Sequence, residues 1–228
     1  MLRTEDALEV KLGEDWSDLK RWTVKRVSEI FHAYPDHFFS ESDIHSLLCD
    51  IANEELKLYG VEPTDTIDGY NVGFVHHEYP TPFRCDMKEY GCITKDEKPY
   101  KRGHYDLVIL NPNFVESNKL DVVCGKDYQK FRPAIQGLRM EPLIWACEII
   151  FFPRVKNIPI DASKIIEQDA LKVQQTLQYS VGAEKTSFCM LGSILVFTSH
   201  TIGEALDLKQ QIATLEDKIN VEMTLSTA

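Results

Sequence analysis

The six cysteines, Cys49, Cys85, Cys92, Cys124, Cys147 and Cys189, include no CxxC pair and none has a histidine partner at ligand spacing. Neither a zinc ribbon nor a disulfide framework is therefore expected, and the thiols read as reduced. No apolar run approaches the roughly 20 residues that a membrane helix needs. The charged start, Met1 to Trp16, lacks a signal-type segment, so a cytoplasmic protein with no membrane partner is expected. There is no Walker loop, no GxGxxG fingerprint and no GxSxG elbow, which removes the common nucleotide-binding and hydrolase classes. Repeats, low-complexity tracts and linkers are also missing, and the 228 residues read as one domain. Basic charge is scarce too. The chain has 25 Lys+Arg against 36 Asp+Glu, a net charge of −11, which argues against a broad cationic surface for nucleic acid. The deficit is uneven, however. Residues 84–156 hold 13 of the 25 bases and 10 of the 36 acids, a local charge of +3 carried by Lys98, Lys101, Arg102, Lys126, Lys130 and Arg132 among others. Either a phosphate-binding groove or a set of solvated loop charges has that composition.

Periodicity organises the rest. Trp16, Leu19, Thr23, Val27 and Ile30 form a helical stripe between Asp15 and about Phe31. Ser40, with Asp43 three residues on, predicts a capped second helix that buries Ile44, Leu47, Leu48 and Ile51, with Glu41 beside the inward stripe and Asp43 outward. Strands are predicted at Gly69 to Tyr79, stopped by Pro80-Thr81-Pro82, and at Tyr105 to Leu110, stopped by Asn111-Pro112. Two more are predicted at Leu143 to Phe152, stopped by Pro153, and at Ser187 to Thr198. A helix from Asp161 to near Gly182 separates these last two, and a final helix runs from about Thr201 to Met223. That order predicts an α/β sandwich around a mixed sheet. The 113–141 segment is long for a link between strands, which is often a functional trait.

Two carboxylates stand out. Asp106 heads the run Tyr105-Asp106-Leu107-Val108-Ile109-Leu110, and Glu148 lies inside Leu143 to Phe152. A carboxylate in a strand buried on both faces needs a metal, a proton or a partner. If the two strands pair in register, the two side chains meet and can share a divalent cation. Lesser candidates are His76 and Glu78 near the end of the first strand, and the basic stretch Lys101-Arg102-Gly103-His104 ahead of the second.

At this point the chain resembles the PD-(D/E)xK, restriction-endonuclease-like nuclease superfamily, over about residues 39–198. The likeness rests on the order of elements, on the acid Glu41 in the first core helix, on Asp106 entering the second strand and on Glu148-Ile149-Ile150 in the third. It implies a three-layer sandwich with extra N- and C-terminal helices, and Mg²⁺ (or Mn²⁺) held by Asp106 and Glu148. It further implies Glu41 as auxiliary acid and phosphodiester cleavage in DNA, or RNA as the lesser alternative. The family places a lysine where this chain has Ile150. Lys172, Lys164 or Lys156 replaces it, with Lys172 the best placed; or the chain is a non-cleaving module that binds nucleic acid or a protein; or both carboxylates have structural partners such as Arg84 or Arg102. Finally, Ala205, Leu208, Ile212, Leu215 and Ile219 carry an a/d rhythm that suits packing on the chain's own sheet and also allows a homodimer through the final helix.

Overall fold

The computed structural model describes residues 16–85, 101–182 and 185–228, and for Arg84, Cys85, Lys101, Arg102 and Tyr128 it describes the backbone alone. Asp15, Cys92 and Lys98, and the side chains of Arg84 and Arg102 proposed as counter-ions, lie outside what is described.

Two helices come first, α1 (Trp16–Ala33) and α2 (Glu41–Leu58), each burying the stripe its spacing predicts except for Ile30 and Leu47, which are half-buried. A small hairpin of β1 (Thr64–Asp65) and β2 (Asn71–Val72) leads to β3 (Val75–Cys85) and β4 (Lys101–Leu110). The long connection that follows folds into three short helices, α3 (Pro112–Glu116), α4 (Leu120–Val123) and α5 (Tyr128–Gln136). Then come β5 (Leu143–Phe152), α6 (Ala162–Gln178), the two-residue strands β6 (Ser180–Val181) and β7 (Thr186–Ser187), β8 (Cys189–Thr198), α7 (Leu206–Ile219) and β9 (Glu222–Thr227).

The main sheet has the order β3-β4-β5-β8-β9. Its first two pairings are antiparallel and its last two parallel, so it is mixed. Strand alternation divides the core in two. Leu195 and Phe197 of β8 pack with α1 and α2, with the Phe31 and Phe197 rings 5.1 Å apart, whereas Ile194 and Val196 pack with α6 and α7. The result is a three-layer α/β sandwich with helices on both faces of a five-stranded sheet.

Gly192 sets how closely α6 approaches this sheet. A Cβ there would lie 2.4 Å from Val173 Cγ1 and 3.2 Å from Leu177 Cδ1, so the helix rests directly on the strand backbone.

Three expectations need correction. Pro80-Thr81-Pro82 does not end the first main strand, which continues to Cys85 with a register shift between Pro80 and Arg84. β3 is the outermost strand, and prolines on an edge forfeit no ladder bond that the sheet requires. The final helix stops at Ile219, because Asn220 takes φ 56° and caps it, and the chain then adds β9 in parallel to β8. The penultimate helix ends at Gln178 rather than near Gly182. The apolar stripe of α7 is spent inside the chain: Ala205, Leu208, Ile212, Leu215 and Ile219 are all buried. No described helix is long and apolar enough to cross a membrane.

Candidate functional site

The site lies where β4 and β5 part. Their ladder runs from Leu110↔Leu143 to Leu107↔Cys147 and stops, although each strand continues. One step further in this register Asp106 falls opposite Glu148. The β5 amides that would continue the ladder are taken by side chains instead. Asp106 Oδ2 accepts from Ile149 N–H at 2.7 Å, and the Glu41 carboxylate accepts from Phe151 N–H.

Glu41 is delivered by the start of α2. Asp43 accepts from the Phe39 and Ser40 N–H groups, both at 2.8 Å, which fixes the first turn and holds the Asp43 carboxyl below its usual range. One turn on, His45 presents Nε2 at 3.9 Å from Glu41 Oε1 and 3.9 Å from Asp106 Oδ2. Those lengths exceed a hydrogen bond, and Nε2 is buried without a hydrogen-bond partner. Ligand atoms of the three residues lie within 4.8 Å of one another. A cation with bonds of about 2.1 Å holds any two of its ligand atoms no more than about 4.2 Å apart, and both His45 distances meet that limit.

Glu148 sits on the other side of the gap and is 2 % exposed. Its Oε2 is 2.6 Å from Lys172 Nζ, while its Oε1 is buried without a hydrogen-bond partner. Lys172 also lies 3.5 Å from Asp169 and donates to the His104 carbonyl at 3.0 Å. Lys156 and Lys164 are exposed, and it is Lys172 that stands beside Glu148. Ile150 turns its side chain into the apolar layer of Ile166, Ala170 and Val173 beneath α6.

Electrostatics express the crowding. Burial raises the Glu148 carboxyl well above its usual value, with Lys172 opposing and Asp169 and Asp106 adding to the rise. Burial likewise raises Asp169. Glu41 is pushed up to about 7 by burial and by Asp106, Asp169 and Glu78, against the Phe151 N–H. Burial works against the Lys172 ammonium, but Glu148, Asp169 and Asp106 together push its pKa upward, so it is firmly a cation. Among the described residues this cluster sets five carboxyl groups against one ammonium, and a divalent cation there would favour the ionised forms over the protonated ones that burial favours.

The structure thus gathers Glu41, Asp106, Glu148 and Lys172 around one gap. Glu148 and Lys172 form a pair on the α6 side, while Glu41 and Asp106 converge with His45. Sequence reasoning overlooked His45. The available signal was its position four residues after Glu41, which puts both on one face of α2. Against known proteins, the chain matches no family model, no curated protein and no solved structure.

Proposed function

We propose that the protein is a metal-dependent phosphodiesterase acting on nucleic acid, with DNA favoured over RNA, and that its sheet is of the restriction-endonuclease-like type. The observation that carries this reading is the parting of β4 and β5 around Asp106 and Glu148, with Lys172 Nζ 2.6 Å from Glu148. Supporting it is the order helix, three-strand meander, helix, parallel strand, in which β4 and β5 each bring one carboxylate to the gap and α2 and α6 each bring two polar residues.

In this assignment Asp106, His45 and Glu41 hold Mg²⁺ or Mn²⁺, while Glu148 pairs with Lys172 through Oε2 and buries Oε1 without a hydrogen-bond partner. The ion, when bound, supplies a polarised phosphoryl oxygen and a more acidic water. Lys172, kept protonated by three acids, holds positive charge where negative charge develops on the phosphate. It does from a helix what the family lysine does from position 150. The capped first turn of α2 holds Glu41 in place, and the Ile149 N–H fixes Asp106.

One observation favours a second reading, a non-cleaving nuclease-fold module. Asp106 and Glu41 already serve β5 as acceptors for its unpaired amides, a structural task needing no ion. Purified protein incubated with Mg²⁺ or Mn²⁺ and single- or double-stranded DNA and RNA decides between them. Cleavage that requires the metal and is lost in Asp106→Ala is expected. If the wild type cleaves nothing and Asp106→Ala leaves the heat of Mn²⁺ titration unchanged, the nuclease reading fails.

A further inference from the structure

A cleft of about 580 Å³ runs along β3 on the side of the gap away from β5. Its floor is apolar: Tyr79, Pro80 and Val123 are buried there, and the Tyr79 hydroxyl donates to the Val123 carbonyl at 2.7 Å, tying β3 to α4. Its rim is different in kind. His77, His104 and Lys126 are exposed around the mouth and offer nitrogen donors, and the exposed Glu78 carboxylate lines the end nearest the gap.

The cleft begins beside the candidate metal centre. The β3–β4 register pairs His77 with Leu107 and Tyr79 with Tyr105, so Glu78, between them, stands across from Asp106, one strand spacing of about 4.8 Å away. His104, on the rim, gives its carbonyl to Lys172, the partner of Glu148. Glu78 is also the one residue of β3 with a positive φ, 53°, a strained conformation for a side chain that is not glycine. Such strain is kept where surrounding structure imposes it, often at functional sites.

We propose that this cleft receives one unpaired nucleotide of the substrate, its base lying over the Tyr79, Pro80 and Val123 floor and its phosphates meeting Lys126, His77 and His104. This rests on the nuclease reading and narrows it to single-stranded or locally unpaired nucleic acid. Size and chemistry both support it. The volume falls within the range of small-ligand pockets, roughly 300–1,000 Å³, and an apolar floor with nitrogen donors at its mouth, the Lys126 ammonium among them, matches a flat base attached to phosphate. A paired base lies inside the stack and reaches such a cleft only when extruded. A duplex bound from outside is held instead through many phosphates by a wide basic surface, which a chain of net charge −11 is poorly supplied to form.

The test uses fluorescence anisotropy in EDTA, so that binding is read without cleavage. The probes are a labelled DNA strand of about 12 nucleotides and its duplex, within the length range that single-strand sites accommodate. Cys124 lines the cleft, so Cys124→Trp fills it, and Lys126→Glu reverses the rim charge without filling. Expected are at least tenfold tighter binding of the single strand than of the duplex, and at least a tenfold loss of that binding in each variant. Mn²⁺ affinity should stay as in the wild type. If Cys124→Trp fails to fold, Lys126→Glu still decides. Single-strand affinity unchanged in every folded variant overturns the cleft, as does equal binding of strand and duplex. Metal-dependent cleavage that persists alongside such a result leaves the nuclease reading intact, so the two ideas fail separately.

Discussion

Replacing Lys172 with Met keeps the aliphatic stem and removes the charge that faces Glu148. The carboxyl is 2 % exposed, so it is left either ionised without a counter-ion or protonated. Breaking a buried pair on one side costs about 3–5 kcal/mol. Protonation sets a lower ceiling. Neutralising a carboxyl with an ordinary value of 4.5 costs about 3.4 kcal/mol at pH 7, and about 0.7 kcal/mol at pH 5. The sign follows from the direction of the shift. A carboxyl raised above 4.5 in the folded state is fully accommodated below that pH, and stability is lost as the pH climbs from there toward the folded value. Lys172→Met should therefore lose up to about 3 kcal/mol at pH 7, set by the share of Glu148 that the ammonium holds ionised, and under about 1 kcal/mol at pH 5, measured by urea unfolding in EDTA. The double variant Lys172→Met/Glu148→Gln, which buries no charge, should recover most of the loss at pH 7. A loss equal at both pH values, or a double variant no better than the single, would refute the reasoning. Under the proposed function, Lys172→Met also abolishes cleavage.

Three further outcomes are expected. Because imidazole suits Mn²⁺ better than Mg²⁺, the wild type should prefer Mn²⁺ in calorimetric titration, and His45→Ala should weaken Mn²⁺ binding at least tenfold while changing Mg²⁺ binding less. Gly192→Ala places a methyl 2.4 Å from Val173 Cγ1 and should cost about 1–3 kcal/mol in urea unfolding, because α6 must lift off the sheet, and cleavage should fall as Lys172 moves with it. Glu41→Gln should raise the metal-free Tm at pH 8 and leave it nearly unchanged at pH 5, since a carboxyl pushed up to about 7 burdens the folded state only as the pH rises above 4.5; thermal melts in EDTA at both pH values check this.

The central strands were legible because their apolar runs end on proline: Asn111-Pro112 follows β4 and Pro153 follows β5, in agreement with the structure. Asp106 and Glu148 stood out for the same reason, as charges within runs that otherwise bury. β9 was hidden, because Ile219 and Met223 are spaced by four and prolong the helical rhythm of α7 past its true end. Asn220, a residue that tolerates the left-handed conformation, was the local signal that the helix stops. The Glu148–Lys172 contact depends on how far α6 sits from β8, which Gly192 governs and no motif encodes. His45 escaped because it is linked to Glu41 by one helical turn on α2 and carries no mark of its own, whereas Asp106 and Glu148 interrupt apolar strands.

Past Leu107, β5 is held on its β4 side by carboxylates rather than by a neighbouring backbone, so its amides are coupled to the charge state of the cluster. Any ion that draws Asp106 or Glu41 toward itself weakens their hold on the Ile149 or Phe151 N–H. These two amides are thus natural reporters in hydrogen exchange, whose rates should change on metal loading while those of Ala146 and Cys147, within the intact ladder, stay slow. The strand that carries Glu148 would then be tightest when the site is unloaded and looser when it is ready to act.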